Sequence, residues 1–90
     1  MRTILKVNKT NIEKGDCGNP EACAVALALK RHFKLSWVSV NVYQFEGYKG
    51  DVEYSGAFTK KLHNFIVNFD LNKQVTPNTF QLDYDIYDWN

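Results

Sequence analysis

The chain predicts an α+β domain, a mostly antiparallel sheet of about four strands with two main helices on one face. Apolar residues recur at helical spacing in two stretches, from Ala22 to Phe33 and from Leu62 to Phe69. In two others, Trp37 to Phe45 and Phe80 to Tyr87, they alternate with period two. Placed in chain order these give β-(α)-α-β-β-α-β, and helices segregated to one face of an antiparallel sheet are the simplest way to bury all the apolar faces. A length of 90 residues makes this one domain, near the lower end of what buries a self-sufficient core.

Thr3 to Val7 (TILKV) is rich in β-formers and predicts an N-terminal strand. Thr10 can cap a turn or two through Asn11–Lys14, which Gly15 stops. The next helix has the strongest local signals: Asn19 as N-cap, Pro20 at the first helical position and Glu21 at the positive end. Ala22, Val25, Ala26, Leu29 and Phe33 fall on one of its faces, and Lys30, Arg31 and Lys34 gather at its C-terminal end, where cations are favoured.

From Trp37 to Phe45 (WVSVNVYQF) the alternation is strict. Val38, Val40 and Val42 point one way, and Trp37, Ser39, Asn41, Tyr43 and Phe45 the other. The glycine-bounded EGYKG then predicts a turn, and DVEY, with Val52 and Tyr54 on one side, completes a hairpin. Thr59 caps a second helix, Lys60–Asp70, with Leu62, Phe65, Ile66 and Phe69 as its apolar face. Asn72 and Pro77 punctuate the connection to a last strand, in which Phe80, Leu82, Tyr84 and Ile86 alternate with Gln81, Asp83, Asp85 and Tyr87. With the valine faces against the helices, the opposite sheet face carries Ser39, Asn41, Tyr43, Asp51, Glu53, Asp83, Asp85 and Tyr87. An exposed sheet face is usually just polar and solvated, and aromatic rings set among acids raise the odds that this one is a contact surface.

The composition is that of an ordinary globular chain, 44% hydrophobic and 23% charged, with a formal charge of +1. Such a balance gives no field that favours duplex DNA or an anionic membrane. Without a signal-peptide pattern or an apolar run approaching ~18 residues, a soluble cytoplasmic protein is expected. Aromatics make up 14% of the chain; they enlarge a small core and supply interface anchors. A core this small also favours association into a homodimer or larger homo-oligomer.

Cys17 and Cys23 raise four readings: zinc ligands, a disulfide, a nucleophile, or local packing. Zinc would need His32 and His63 to converge on a C-x5-C pair wider than the usual knuckle. Yet His32 lies well round the helix from Cys23, and His63 faces away from the apolar stripe of its own helix. A disulfide needs an oxidising compartment. A nucleophile needs a base within reach, which spacing does not supply. Packing is the simplest reading, with Cys23 at a helix start and Cys17 in a turn. No metal site, cofactor or catalytic constellation is therefore assigned.

Asp83 and Asp85 stand two apart on one strand face, an arrangement suited to acid–base work or a hard cation, but more simply to an acidic edge that discourages strand aggregation. The glycines at 47, 50 and 56 fit turns rather than a phosphate cradle. In KRHFK (30–34), the cations could neutralise phosphates, but Phe33 lies on the core face and is withdrawn from stacking on a base.

The stretch CAVALAL (23–29) resembles the helix start C-P-[IV]-A-L-A-[LI] of a set of small phage and prophage accessory proteins. Their preceding T-x-x-x-I-x-x-G segment is similar to Thr10–Gly15, which is shorter here, and the likeness extends through VSV (38–40), FIVNFD, V-T-P and the alternating last strand. Ala24 replaces the family's proline, with Pro20 four residues earlier, which places the helix start a turn sooner. Cys17 is also further from Cys23 than the family's C-x2-C. The resemblance implies a phage-type product acting inside a bacterium, with no enzymatic activity carried over. The leading expectation is an anti-CRISPR-like inhibitor that occludes a host bacterial protein through Tyr43, Asp83, Asp85, Tyr87 and Trp89. The alternative is an oligomer that sequesters a nucleotide, with Lys30, Arg31 and Lys34 on its phosphates. A structural or regulatory domain without ligand is the plainest reading.

Overall fold

A computed structural model describes all 90 residues. The elements are β1 (Arg2–Val7), α1 (Lys9–Lys14), α2 (Ala24–Phe33), β2 (Trp37–Val40), β3 (Gln44–Lys49), β4 (Val52–Ala57), α3 (Lys60–Asp70), β5 (Asn78–Asp83) and β6 (Asp85–Asp88). The fold is α+β, with one antiparallel sheet of four strands in the order β2-β3-β4-β6 and a second of two, β1-β5.

The two sheets share one continuous run of chain. The last strand is extended from Asn78 to Asp88 but changes partner at Tyr84. Up to that residue it pairs with β1, and Tyr84 exchanges bonds with Met1: its N–H donates to Met1 O (2.9 Å) and its carbonyl accepts from the N-terminal ammonium (2.8 Å). Beyond it the chain pairs with β4 on its opposite edge, as far as Trp89 N–H to Asp51 O (3.0 Å). The alternation expected over 80–87 thus holds for the buried Phe80 and Leu82, while the single strand serves two sheets.

The expected strand over 37–45 is two strands. Asn41 Oδ1 accepts from both Tyr43 N–H and Gln44 N–H (each 2.8 Å), and Asn41 N–H donates to Gln44 O (3.0 Å), closing a tight turn. Val42 sits in that turn and prolongs the alternation through it, which hides the reversal. Phe45 consequently faces inward, opposite Val40, and is buried. EGYK is correspondingly strand rather than turn; the chain reverses at Gly50–Asp51, where Gly50 has φ +61°.

The first long helix begins later than Asn19-Pro20 predicts. Cys23 is its N-cap, with Sγ accepting from Ala26 N–H at 3.4 Å. Residues 19–22 instead form a turn in which Asn19 O accepts from Cys23 N–H (2.9 Å) and Pro20 O accepts from Val40 N–H (2.8 Å). The Pro20 carbonyl is committed to a strand, not to a helix. The short helix likewise starts earlier than Thr10, since Asn8 and Asn11 form a reciprocal capping box. Thr59 and Lys60–Asp70 are as expected, with Leu62, Phe65, Ile66 and Phe69 all buried.

The core lies between the helices and the inner sheet faces, and Leu5, Val25, Leu29, Leu62, Phe80 and Leu82 are among its most buried members. Phe33 closes one end of it, with ring centroids 4.9 Å from Tyr54 and 4.8 Å from Tyr84.

Candidate functional site

Directly paired residues share a sheet face, so the strand registers define the helix-free side of the four-stranded sheet. One cross-strand row is Trp37, Tyr48, Glu53 and Tyr87; the next is Ser39, Glu46, Ser55 and Asp85. The first row is tied together laterally. Trp37 and Tyr48 have centroids 5.8 Å apart, and Trp37 Nε1 donates to Glu21 Oε1 (2.9 Å). Trp89, just past β6, lies 4.4 Å from the Tyr87 ring and donates through Nε1 to Glu53 Oε1 (3.0 Å). Burial raises the Tyr48 phenol pKa above its usual value, and Glu53 and Glu46 push it further in the same direction.

The face remains open despite these contacts: Trp37 is 37% exposed, Tyr87 57% and Trp89 63%. Partly exposed aromatic rings, the two indoles held by carboxylates, suit recognition of a cationic and partly apolar surface. Cations find the ring faces and the acids together. No helix of the chain is long and apolar enough to cross a membrane.

The expected protein-binding residues divide. Asp85, Tyr87 and Trp89 come together on this face. Asp83 does not join them: it forms an ion pair with Arg2 (Nε to Oδ1, 2.8 Å) on the β1-β5 sheet. Its carboxyl is held below the usual range chiefly by that hydrogen bond, with the Arg2 and N-terminal charges adding to it. Asp83 and Asp85 border one cleft with Met1 and Arg2, and there Asp83 is engaged by Arg2. Tyr43 is also elsewhere, stacked on His63 at 5.0 Å in the β2–β3 turn, and His63 Nδ1 lies 2.6 Å from Val42 O. His63, expected to face solvent, is half-buried there. Trp37, Glu46 and Tyr48 complete the face without having been singled out; the latter two fell within EGYKG, whose bounding glycines signal a turn.

The basic cluster is also divided. Arg31 Nη1 donates to Asn11 Oδ1 (3.0 Å) and Nη2 to the Lys6 carbonyl, so its guanidinium fastens α2 to α1 and β1. Lys30 and Lys34 remain exposed, with Lys34 ending the helix in the left-handed conformation at φ +57°. Replacing Arg31 by Met should therefore cost about 0.5–1.5 kcal/mol for each of the two hydrogen bonds lost, one part-buried and one exposed. Chemical denaturation measures it; unchanged stability would mean that the guanidinium is free for an anion.

Both cysteines are free thiols engaged locally. Cys17 Sγ donates to Phe69 O (3.0 Å), and burial raises the pKa of the Cys23 thiol, keeping it neutral where it caps α2. No three of the His, Cys, Asp and Glu side chains converge to hold a metal ion. His32 Nε2 lies 3.0 Å from Thr3 Oγ1. Its pKa falls below the usual 6.5, through burial first and the neighbouring Arg31 second. A depressed histidine pKa means that the unfolded chain binds the extra proton more readily. The stability this neutral ring contributes is complete well above pH 6.5 and is lost as the pH falls from that value through the lower folded-state pKa. Between pH 7.5 and 5 the wild type should lose more thermal stability than His32→Gln; parallel losses would contradict this.

The structure is a small α+β domain whose four-stranded sheet has an aromatic and acidic outer face. A scan against family models finds no match, and neither the curated proteins nor the solved structures searched contain a significant match to the chain.

Proposed function

We propose that this chain is a non-enzymatic binding protein that inhibits a host bacterial protein by covering a basic surface with the outer face of its four-stranded sheet. The observation that carries the reading is the Trp37–Tyr48–Glu53–Tyr87 row with Trp89 bonded to Glu53: large, partly exposed rings positioned by carboxylates. Trp and Tyr are the residues that most often dominate interface energetics, and acids beside them select a basic partner. The resemblance of residues 23–29 to phage accessory proteins supports a counter-defence setting in the bacterial cytoplasm. There an acidic face can imitate nucleic-acid phosphates before a basic groove, as an anti-CRISPR-like inhibitor would. The nucleotide-sequestering alternative has less support, because Arg31 is committed to Asn11 and Lys6 and Phe33 to the core.

The test is capture of bacterial proteins on the immobilised chain, compared with a Glu46→Lys/Asp85→Lys variant. The reading expects a saturable protein partner whose binding weakens with salt and falls at least tenfold in the variant. A partner held equally by both would contradict it.

A further inference from the structure

We infer that the open edge of β6 receives an extended, basic segment of the partner as an added strand, an inference that rests on the binding role proposed above and names its partner's chemistry.

The last strand sends its even-numbered backbone groups one way and its odd-numbered ones the other, as antiparallel pairing requires. On the even side, Tyr84 bonds Met1 and the β1 register runs back to Asn78. On the odd side, Trp89 donates to Asp51 and the β4 register runs back to Asp85. The N–H and C=O groups of Ile86 and Asp88 therefore point away from β4, along the line that β1 occupies as far as Met1.

Each of the other sheet margins is capped at one point, and the β1 margin, open at the 57% exposed Ile4, is bordered by the cations Arg2 and Lys6 rather than by carboxylates. Arg31 donates to Lys6 O on the free side of β1, Lys61 Nζ to Thr79 O on that of β5 (3.1 Å), and Val40 N–H of β2 to Pro20 O (2.8 Å). The β6 margin has no such cover, and Ile86 there is 41% exposed.

The side chains bordering this edge select its occupant. Asp85 and Tyr87 stand on the outer face, and Ile86 and Asp88 on the inner. A second β6 in antiparallel pairing would bring the Asp85 and Asp88 carboxylates of both copies to one edge with no cation from either β6 between them, which disfavours a homodimer here. A segment running antiparallel to β6, in the direction of β1, meets Asp88, Tyr87, Ile86 and Asp85 in turn. Lys, Arg, an apolar residue and Lys answer them: two ion pairs, a cation over a ring, and an apolar contact.

The probe is an acetylated and amidated Gly-Lys-Arg-Val-Lys-Gly peptide, titrated into the full chain and followed by the backbone amide resonances. Saturable shifts at the Ile86 and Asp88 amides are expected, together with binding at least tenfold weaker after Asp88→Pro than after Asp88→Asn, which removes the same carboxylate but keeps the N–H. That proline removes an outward N–H while leaving the β4 ladder intact. Methylating the backbone nitrogen of the peptide's valine should abolish the same shifts in the wild-type chain, which covers the case in which Asp88→Pro does not fold. Replacing the peptide's cations with glutamate should also abolish them. Shifts confined to Trp37, Tyr48 and Tyr87 would overturn the added strand yet leave face-on docking standing. Binding unaffected by Asp88→Pro or by the methylation would overturn it, as would amides at Ile86 and Asp88 that respond only to protein concentration, the signature of a second copy.

Discussion

Replacing Phe80 by alanine is expected to destabilise the protein by about 3–5 kcal/mol, the range for emptying an aromatic site in a core. Phe80 is 2% exposed and meets Phe65 of α3 edge-on, with centroids 5.1 Å apart. The Lys61 ammonium lies 5.2 Å from its ring centroid and also donates to Thr79 O, so helix and strand converge on this one ring. A domain of this length has a total stability of only about 0.05–0.15 kcal/mol per residue. The variant should therefore sit at the margin of folding at room temperature. Chemical denaturation checks it, and Phe80→Leu, which keeps part of the volume, should recover much of the loss. A change under about 1 kcal/mol for the alanine variant would mean that α3 and β5 are not packed as described.

Gly56→Ala is the second large effect, and its cause is contact with backbone. A Cβ at this position would stand 2.3 Å from Asp83 O and 3.2 Å from Tyr84 Cα. Those atoms belong to the point where the last strand leaves β1 for β4, and they cannot retreat without separating the two sheets. Forcing a methyl group into so close a contact costs about 1–3 kcal/mol, occasionally more, and the upper part of that range is expected here. The near-ultraviolet dichroism should also weaken, because the junction sets where β6 presents Tyr87 and where Trp89 follows. An alanine variant as stable as the wild type would show that the crossing is looser than the register implies.

The sequence discloses this fold wherever the decisive interactions are local. Thr59 and the four apolar residues of α3 lie within one short helix, so cap, length and buried face could all be read from spacing. The start of α2 could not, because the Pro20 carbonyl bonds Val40, far along the chain, and Cys23 takes over the cap. The β2–β3 turn was hidden by Val42; the signal that could have found it is Asn41, whose side chain accepts from two following N–H groups. The last strand was legible as a strand, but its change of partner at Tyr84 depends on Met1 and Asp51, which alternation does not encode.

The candidate site was legible to the same extent. Asp85, Tyr87 and Trp89 adjoin one another along one strand, and their company could be read directly. Trp37, Tyr48 and Glu46 reach them only through the pairing of four strands, and two of these were masked by glycines that look like turn residues. Asp83 and Tyr43 have the right chemistry in the sequence but are drawn off by Arg2 and His63, partners too distant along the chain for spacing to reveal. Arg31 left the basic cluster for the same reason.

The most direct test of the proposed binding face is quantitative capture from a bacterial lysate on the wild-type chain and on Tyr87→Ala/Trp89→Ala, read by native mass spectrometry of the eluted complexes. Both rings are mostly exposed, so the variant should keep nearly all of its thermal stability. The account predicts a protein partner bound in fixed ratio to the wild type and reduced at least tenfold in the variant, since losing even one aromatic anchor of about 2 kcal/mol exceeds a factor of ten. A partner retained undiminished by the folded variant, or a wild-type chain that retains only a nucleotide, would contradict it.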